Sequence, residues 1–523
     1  MAPKVPPSRH ESRRNSNDTD ATDVERVAGK GEKESRSPSI SQETSTPATP
    51  VKDEEQQQPP KSITDWDGPD DPENPHNWPL WKKGYHTCLP SGIAFVCALG
   101  SSIYTPAVAN VAQYFEVSHE VAILPFSLFV LGLAFGPSIS APCSEFFGRR
   151  LVYQVSIPIF ALFTVGAGFS QSIATLCIVR FFAGIFGSPG LSIGSATISD
   201  IWEPKKRATC MTLYVTTPFL GPSLGPLIAG FVVDAKGWRW TMWVLLFFTV
   251  AFLTPAIAMS ETYKPAILRR RAKRLGLHPK KKPFWPTLKA FMRSTMTRPM
   301  HMAFTEPIVG LFTIYIALNF AMLYGFFAAL PYVFEATYGF GISNTGLVWM
   351  SFFVGFLCGS IIVIVYDAMY YKPAVARNKR AGGDGKLAPE KRLYLAMFGS
   401  LCLPVSLFWF GWTTRPYVHW IVPTVSLAFF GTGNLLIFMS ATLYIMDTYG
   451  ALFGASAMVA NTLLRYTLGC VFPLFAVYMY KGLGNGWATS LLGFISIACL
   501  PIPWCFYVWG PKLRAKTGYP QAT

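Results

Sequence analysis

Two arginines and several polar groups lie in stretches otherwise too apolar to hold them. Arg180, in Arg180-Phe181-Phe182-Ala183-Gly184, falls about eight residues into an apolar run, roughly 12 Å deep at 1.5 Å per residue. A cation at that depth costs several kcal/mol unless water or a partner meets it, so the position reads as functional. Arg465 lies mid-run in Asn461-Thr462-Leu463-Leu464-Arg465, with Asn461 one turn earlier on the same face. Asn110, Asn319, Tyr324 and Asn434 place hydrogen-bonding groups in other apolar runs, as candidates to line a cavity for a small molecule. Phe320, Phe326, Phe327 and Trp349 are candidates for an aromatic wall. Glu145, Glu306, Glu335 and Asp447 all stand near run ends, where solvation is the simpler account, so no proton carrier is evident. Glu145, Gly148, Arg149 and Arg150 share a short connection: a carboxylate at a helix end, a turn-permitting glycine and two cations make a compact ion-pair hinge. Asp447, in a later short connection, is placed to pair with Arg149 or Arg150 when that end of the molecule is closed.

The elements that must carry these groups are membrane helices. Of the 523 residues 51% are hydrophobic and only 14% charged, against roughly 25% in soluble domains. Twelve runs are long enough to span, near 87–108, 121–141, 151–170, 173–198, 209–233, 240–259, 304–334, 343–366, 393–412, 418–444, 454–479 and 487–509. If the N-terminal tail is cytosolic, 27 basic residues fall on the cytosolic connections and C-terminal tail and four on the opposite side, an asymmetry that puts both termini in the cytosol. The net charge of +16 thus encodes topology, and no nucleic-acid partner is expected. Residues 1–80 form a polar tail with no apolar period and no cleaved signal, expected to be disordered. Residues 81–260 and 301–510 form two six-helix halves, joined by a basic linker, 261–300, and followed by a short tail, 511–523. Leu268–Leu275 in the linker reads either as an amphipathic helix on the anionic inner leaflet or as a solvated segment. The ten cysteines, without a C-x-x-C, are expected to be buried free thiols, with no metal site.

In the fifth run, Gly221, Gly225 and Ala229 recur every four residues, a small stripe that admits a second backbone. Pro218, Pro222 and Pro226 share that spacing, and each removes a backbone hydrogen bond, tolerable only where neighbouring helices re-satisfy the carbonyls. Gly190-Leu191-Ser192-Ile193-Gly194 fits a hydrolase nucleophile pattern but sits within a membrane run, so no enzyme is expected.

These stretches resemble the signatures of the major facilitator superfamily. Ala141–Arg150 is similar to its loop signature G-x-x-x-D-x-x-G-R-[RK], with Ala141 for the first glycine and Glu145 for the aspartate. Arg180 and Gly184 match the fourth-helix signature of proton-driven facilitators. Gly221, Gly225, Pro226 and Gly230, with Pro222 between them, resemble the G-x-x-x-G-P-x-x-G-G antiporter signature, which Ala229 breaks. Asp71-Pro72-Glu73-Asn74-Pro75, Gly237-Trp238-Arg239-Trp240 and Glu261-Thr262-Tyr263 narrow the resemblance to the fungal twelve-span drug:proton antiporters, including polyamine and fluconazole exporters. The resemblance implies an all-α major facilitator fold with a midplane substrate site between its halves. It implies proton-coupled export of drugs, toxic metabolites or polyamines by a functional monomer that uses the proton gradient and no cofactor. Arg180, Glu145, Arg149, Arg150 and Asp447 are then the coupling and gating candidates, and the plasma membrane the expected location, with the vacuolar membrane as alternative. A proton-coupled importer and a transport-inactive receptor are the other readings.

Overall fold

The computed structural model describes residues 65–276, 297–383 and 387–519. Among the described residues, eleven apolar helical segments are long enough to cross a membrane. The last, Phe453–Ala515, has 63 residues and is roughly 95 Å long if straight, about three times the ~30 Å hydrocarbon core. At Gly484 the backbone leaves the helix (φ 72°, ψ 164°), so this segment folds into two crossings and the total is twelve. Gly450 (φ 68°, ψ −176°) makes the same kind of break between the tenth and eleventh crossings.

The first crossing is Leu80–Ser102, extended through a 3-10 turn into Val108–Tyr114. The second and third, His119–Phe147 and Arg149–Gly168, meet at Gly148 alone. The fourth is made of Ile173–Gly187 and Pro189–Ile201, two helices abutting where one continuous run was expected, because proline at 189 cannot donate to the preceding turn. The fifth, Pro204–Lys236, and sixth, Arg239–Ile257, complete the first half. The second half runs from Pro307–Tyr338 through Ile342–Val348 with Met350–Tyr366, then Leu393–Thr413, and ends with the segments broken at Gly450 and Gly484. The first and seventh crossings are about four-fifths buried (83% and 78%) and the sixth only 28%, so the former line the centre and the latter faces lipid. Two of the ten cysteines, Cys88 and Cys358, are exposed rather than buried.

Inside the spans, hydroxyls bond carbonyls a turn back: Thr164 Oγ1 donates to Phe160 O and Thr249 Oγ1 to Leu245 O, both at 2.8 Å. This satisfies polar side chains without water, as hydrocarbon requires.

The largest departure from the sequence expectation lies at the face of the bundle that carries the termini. Residues 65–79, assigned above to a disordered tail, are folded against the linker helix Lys264–Arg274. Arg271 donates to Asp67 (3.0 Å), to both oxygens of Asp71 (2.8 Å) and to Glu73 (2.7 Å). Arg274 also reaches Glu73, and Lys264 reaches Asp65 at 2.5 Å. Ala266, Ile267, Leu268 and Ala272 are buried against protein. The linker helix is therefore neither a membrane-lying nor a solvated segment: its apolar side is already covered and its central cation is consumed by three carboxylates. The rest of the expected tail, residues 1–64, and the linker from 277 to 296 lie outside the described residues.

Burial pushes the Asp71 carboxyl up, but the Glu73 N–H, Arg271 and the Asp67 N–H outweigh it and hold it below the ordinary carboxylate range; Glu73 is lowered likewise, by Arg274 and Arg271 against burial. A lowered native pKa stabilises the fold above the unfolded value, about 4, and that contribution is lost as pH falls through the native value. The clasp is therefore intact across neutral pH. Arg271→Ala leaves Asp71 buried and unpaired, and is expected to destabilise the first half by roughly 2–3 kcal/mol, read as a lower melting temperature of the purified protein.

Candidate functional site

The connection between the second and third crossings is built around Arg149, one of the two cations of the expected ion-pair hinge, which the structure rearranges. Its guanidinium donates to Ser144 Oγ (2.5 Å) and Asp200 Oδ2 (3.4 Å), and stacks on Tyr263 (4.7 Å to the ring centre). Its backbone N–H donates to Glu261 Oε1 at 2.8 Å, which also accepts from the N–H groups of Thr262 and Tyr263, both at 3.1 Å. Glu261 thus caps the positive end of the third crossing from 112 residues away. Gly148 is required twice over: its φ is +98°, and a Cβ there would lie 2.3 Å from Glu261 Oε2. Glu145 is exposed and joins no ion pair among the described residues, and Arg150 is half-buried and likewise joins none. The expected Glu145 hinge is corrected: the carboxylates that hold this loop are Asp200 and Glu261.

Asp447 pairs with Arg392 (Nε to Oδ2, 3.0 Å), not with Arg149 or Arg150. Arg392 also stacks on Tyr371 (3.5 Å) and lies 3.8 Å from Asp367, which Lys372 reaches at 3.0 Å. Each half thus holds its own arginine with its own acids, which corrects the expected pairing between halves. Charge reversal at Asp447 is expected to impair activity, with partial rescue by Arg392→Asp and none by Arg149→Asp in a growth or flux assay.

Arg180 is buried to 1% exposure. Its Nη2 donates to Gly100 O in the first crossing at 2.8 Å, its plane lies 4.2 Å from the Phe129 ring centre and 5.5 Å from that of Tyr104. It lines none of the cavities described below and, among the described residues, has no carboxylate within ion-pair distance. Its charge is met by a backbone dipole and two ring faces rather than by a wet cavity.

The fifth crossing uses its small face on two partners. A Cβ at Gly221 would lie 2.7 Å from Phe95 O, and one at Gly225 would lie 1.9 Å from Ser102 Oγ and 2.9 Å from Ile103 N, all in the first crossing. A Cβ at Gly230 would meet Ile342 O at 3.0 Å, and one at Gly346 would meet Pro226 O at 2.8 Å, both across to the other half. Pro222 and Pro226 stay within one continuous helix. Thr216 and Ser360 hydroxyls, 2.6 Å apart, join the same two crossings lower down.

Among the cavities that the described residues line between the halves, two hold expected site residues or adjoin them. The larger, about 430 Å³, opens at the face away from the termini and is lined by His119, Glu120, Pro226, Phe327, Glu335, Trp349 and Lys481, among others. Hydrogen bonds Tyr478–Glu120 and Ser343–Asp234 cross between the halves beside it. The smaller, about 70 Å³, lies deeper, with Tyr214 and Phe219 from one half and Phe320, Tyr324, Arg465 and Tyr466 from the other. An aromatic layer separates them. Phe327 stacks on Trp349 (4.2 Å, 8° between planes), Phe126 packs on Tyr324 and Phe327, and Tyr324 Oη lies 3.1 Å from Ser101 Oγ.

Of the six expected cavity residues, the structure brings Tyr324 and Arg465 to the deeper cavity. Asn461 is fully buried one turn from Arg465, with neither amide atom bonded. Asn434 Nδ2 donates to Asn319 O at 3.1 Å, which ties the tenth crossing to the seventh, and Asn110 is half-buried and lines neither cavity. Of the expected aromatic wall, Phe326 packs among Phe352, Phe410 and Phe430 inside the second half instead. Ser192, of the hydrolase-like pattern, bonds Ser140 across two helices at 2.8 Å. Sequence reasoning missed Asp200, Arg392 and the role of Glu261. Only the position of Asp200, two residues past the end of an apolar run and opposite the Arg149 connection on the same side of the membrane, could have signalled it.

Comparison with known proteins agrees with this architecture. The family model described as Major Facilitator Superfamily matches residues 91–473. Polyamine transporter 4 of Saccharomyces cerevisiae is 37% identical over 486 residues, covering 88% of this chain and 73% of that protein. Efflux pump FUBT of Fusarium oxysporum is 38% identical over 462 residues, covering 86% and 76%. Among solved structures, the proton:xylose symporter XylE bound to 6-bromo-6-deoxy-D-glucose superposes with a TM-score of 0.59 at 14% identity, over 82% of this chain and 97% of that one. At that identity the likeness speaks for the fold alone. With twelve crossings in two halves, a cavity between them and relatives that align along most of their length, the chain is a multi-pass membrane transporter, not an enzyme, and belongs to the major facilitator superfamily.

Proposed function

We propose that this transporter exports small organic molecules in exchange for protons, by alternating access, from the cytosol across the plasma membrane. The termini face the cytosol, and the larger cavity opens outward. The observation that carries the reading is the fifth crossing, whose glycine and proline face packs on the first crossing through Gly221 and Gly225 and on the other half through Pro226 and Gly230. A helix held this closely to both halves is placed to couple their motions. The names of the relatives, an efflux pump and a polyamine transporter, support export of small molecules. Proton coupling is assigned to Arg180, a buried cation whose partners are uncharged, with the proton gradient as the only driving force and no cofactor. One chain contains both halves and the cavity between them, which supports a working monomer.

Inside-out vesicles test this. With an acid interior, labelled 2-naphthoate or spermidine should accumulate while protons leave, and collapse of the gradient should abolish it. Movement of cargo and protons in the same direction would make the protein a symporter and overturn the proposal, as would binding without flux.

A further inference from the structure

Arg465 is a buried cation in the deeper cavity, and its surroundings say what that cavity can hold. Its guanidinium lies 4.8 Å from the ring centre of Phe320, 4.9 Å from that of Phe438 and 4.7 Å from that of Tyr466. Three aromatic rings thus surround the guanidinium. Arg465 hydrogen-bonds the Tyr466 side chain, while its buried Nε–H has no partner. At 9% exposure it forms no ion pair, and no carboxylate lines this cavity among the described residues. The described acids lie elsewhere: Glu116, Glu120, Asp234 and Glu335 at the open face, and the others toward the face of the termini. A guanidinium with a free Nε–H and no acid in its ring-lined space matches a carboxylate, which accepts from Nε and exchanges with the Tyr466 hydroxyl for a second N–H of the fork. It repels a cation.

We propose that the deeper cavity is an organic-anion site, in which the carboxylate of an aromatic cargo accepts from Arg465 while its body packs among Phe320, Tyr324 and Phe219. The cavity in its present size, about 70 Å³, holds water only. Withdrawal of the Tyr324–Phe327–Trp349 layer, one helical turn thick, joins it to the 430 Å³ vestibule and makes room for a ring system. The inference deepens the export reading by naming a cargo class, and rests on it for the direction of movement only. It favours an anion over a polyamine at this position.

The test is equilibrium binding to the purified full-length protein in nanodiscs, without any gradient. 2-Naphthoate is compared with its neutral isostere 2-naphthamide and with spermidine. 2-Naphthoate should bind at least tenfold more tightly than 2-naphthamide, and spermidine should not compete. Arg465→Gln should bring 2-naphthoate down to the level of the amide without changing the amide's own affinity, and Arg465→Lys should fall between. Equal binding of acid and amide by the wild-type protein overturns the proposal without any variant. So does displacement by spermidine, or unchanged 2-naphthoate affinity in Arg465→Gln. Because no gradient is present, binding that passes while vesicle export fails would leave the anion site standing and remove the export reading. Proton-driven spermidine flux without 2-naphthoate binding would do the reverse.

Discussion

Gly225→Leu is expected to abolish transport and to lower the thermal stability of the purified protein. A single Cβ at this position already falls 1.9 Å from Ser102 Oγ and 2.9 Å from Ile103 N. Ser102 is fully buried and its hydroxyl donates to Leu99 O at 3.3 Å, so it has no free space to swing into. Ile103 N is backbone and cannot move without its helix. Leucine adds three further carbons, so the first and fifth crossings must separate along their length. Overpacking of an ordinary core costs about 1–3 kcal/mol, and separation of two helices costs at least the upper end of that range. The separation also removes the register between Pro226 and Gly346, through which the fifth crossing touches the other half. Gly166→Leu is the control, because the nearest atom to a Cβ there is an ordinary 3.5 Å away, and it should leave transport and melting near wild type. Normal coupled export by Gly225→Leu at wild-type expression would show that close approach of these helices is not needed.

Arg180→Ala is expected to uncouple the protein from the gradient. The guanidinium donates to Gly100 O and lies over the rings of Phe129 and Tyr104. A charge-assisted hydrogen bond of this kind contributes about 1.5–3 kcal/mol, so its loss predicts roughly a 10- to 100-fold fall in gradient-driven accumulation. Exchange of labelled for unlabelled cargo with no gradient should fall far less if Arg180 serves coupling, and equally if it serves only packing. Arg180→Lys retains charge without the planar fork and should recover part of the driven flux. Driven accumulation at the wild-type level in Arg180→Ala would remove Arg180 from the coupling path.

The spans were legible because burial in hydrocarbon demands long apolar runs, a property of composition alone. Arg180 was legible for the converse reason, as a cost that only a special environment offsets. The partners of such residues were not legible. Arg149 is held by Asp200 and Glu261, 51 and 112 positions away, and nothing in local spacing tells which acid a cation will meet after folding. Asp447 was matched to the wrong arginine for the same reason: charge complementarity allows many pairs, and only the packed positions of the crossings choose Arg392. The clasp was missed because Asp67, Asp71 and Glu73 read as solvated polar residues until Arg271 is brought to them from about 200 positions on. Asn319 and Asn434 illustrate a third limit, since a polar group inside a span serves helix pairing as readily as a cavity.

The stacked pair of Phe327 on Trp349 has a consequence for what the protein will accept. Two parallel rings 4.2 Å apart are the arrangement that a flat aromatic guest would itself adopt against either one. A guest that slides between them exchanges one ring–ring contact for two of similar strength, so parting the layer carries little net enthalpy for any planar scaffold. Shape is then a weak filter at this threshold, and size and substitution pattern of the ring system discriminate little. On the organic-anion proposal, many planar aromatic skeletons are expected to pass this threshold, and discrimination then falls chiefly to the sign of the charge that they bring to Arg465.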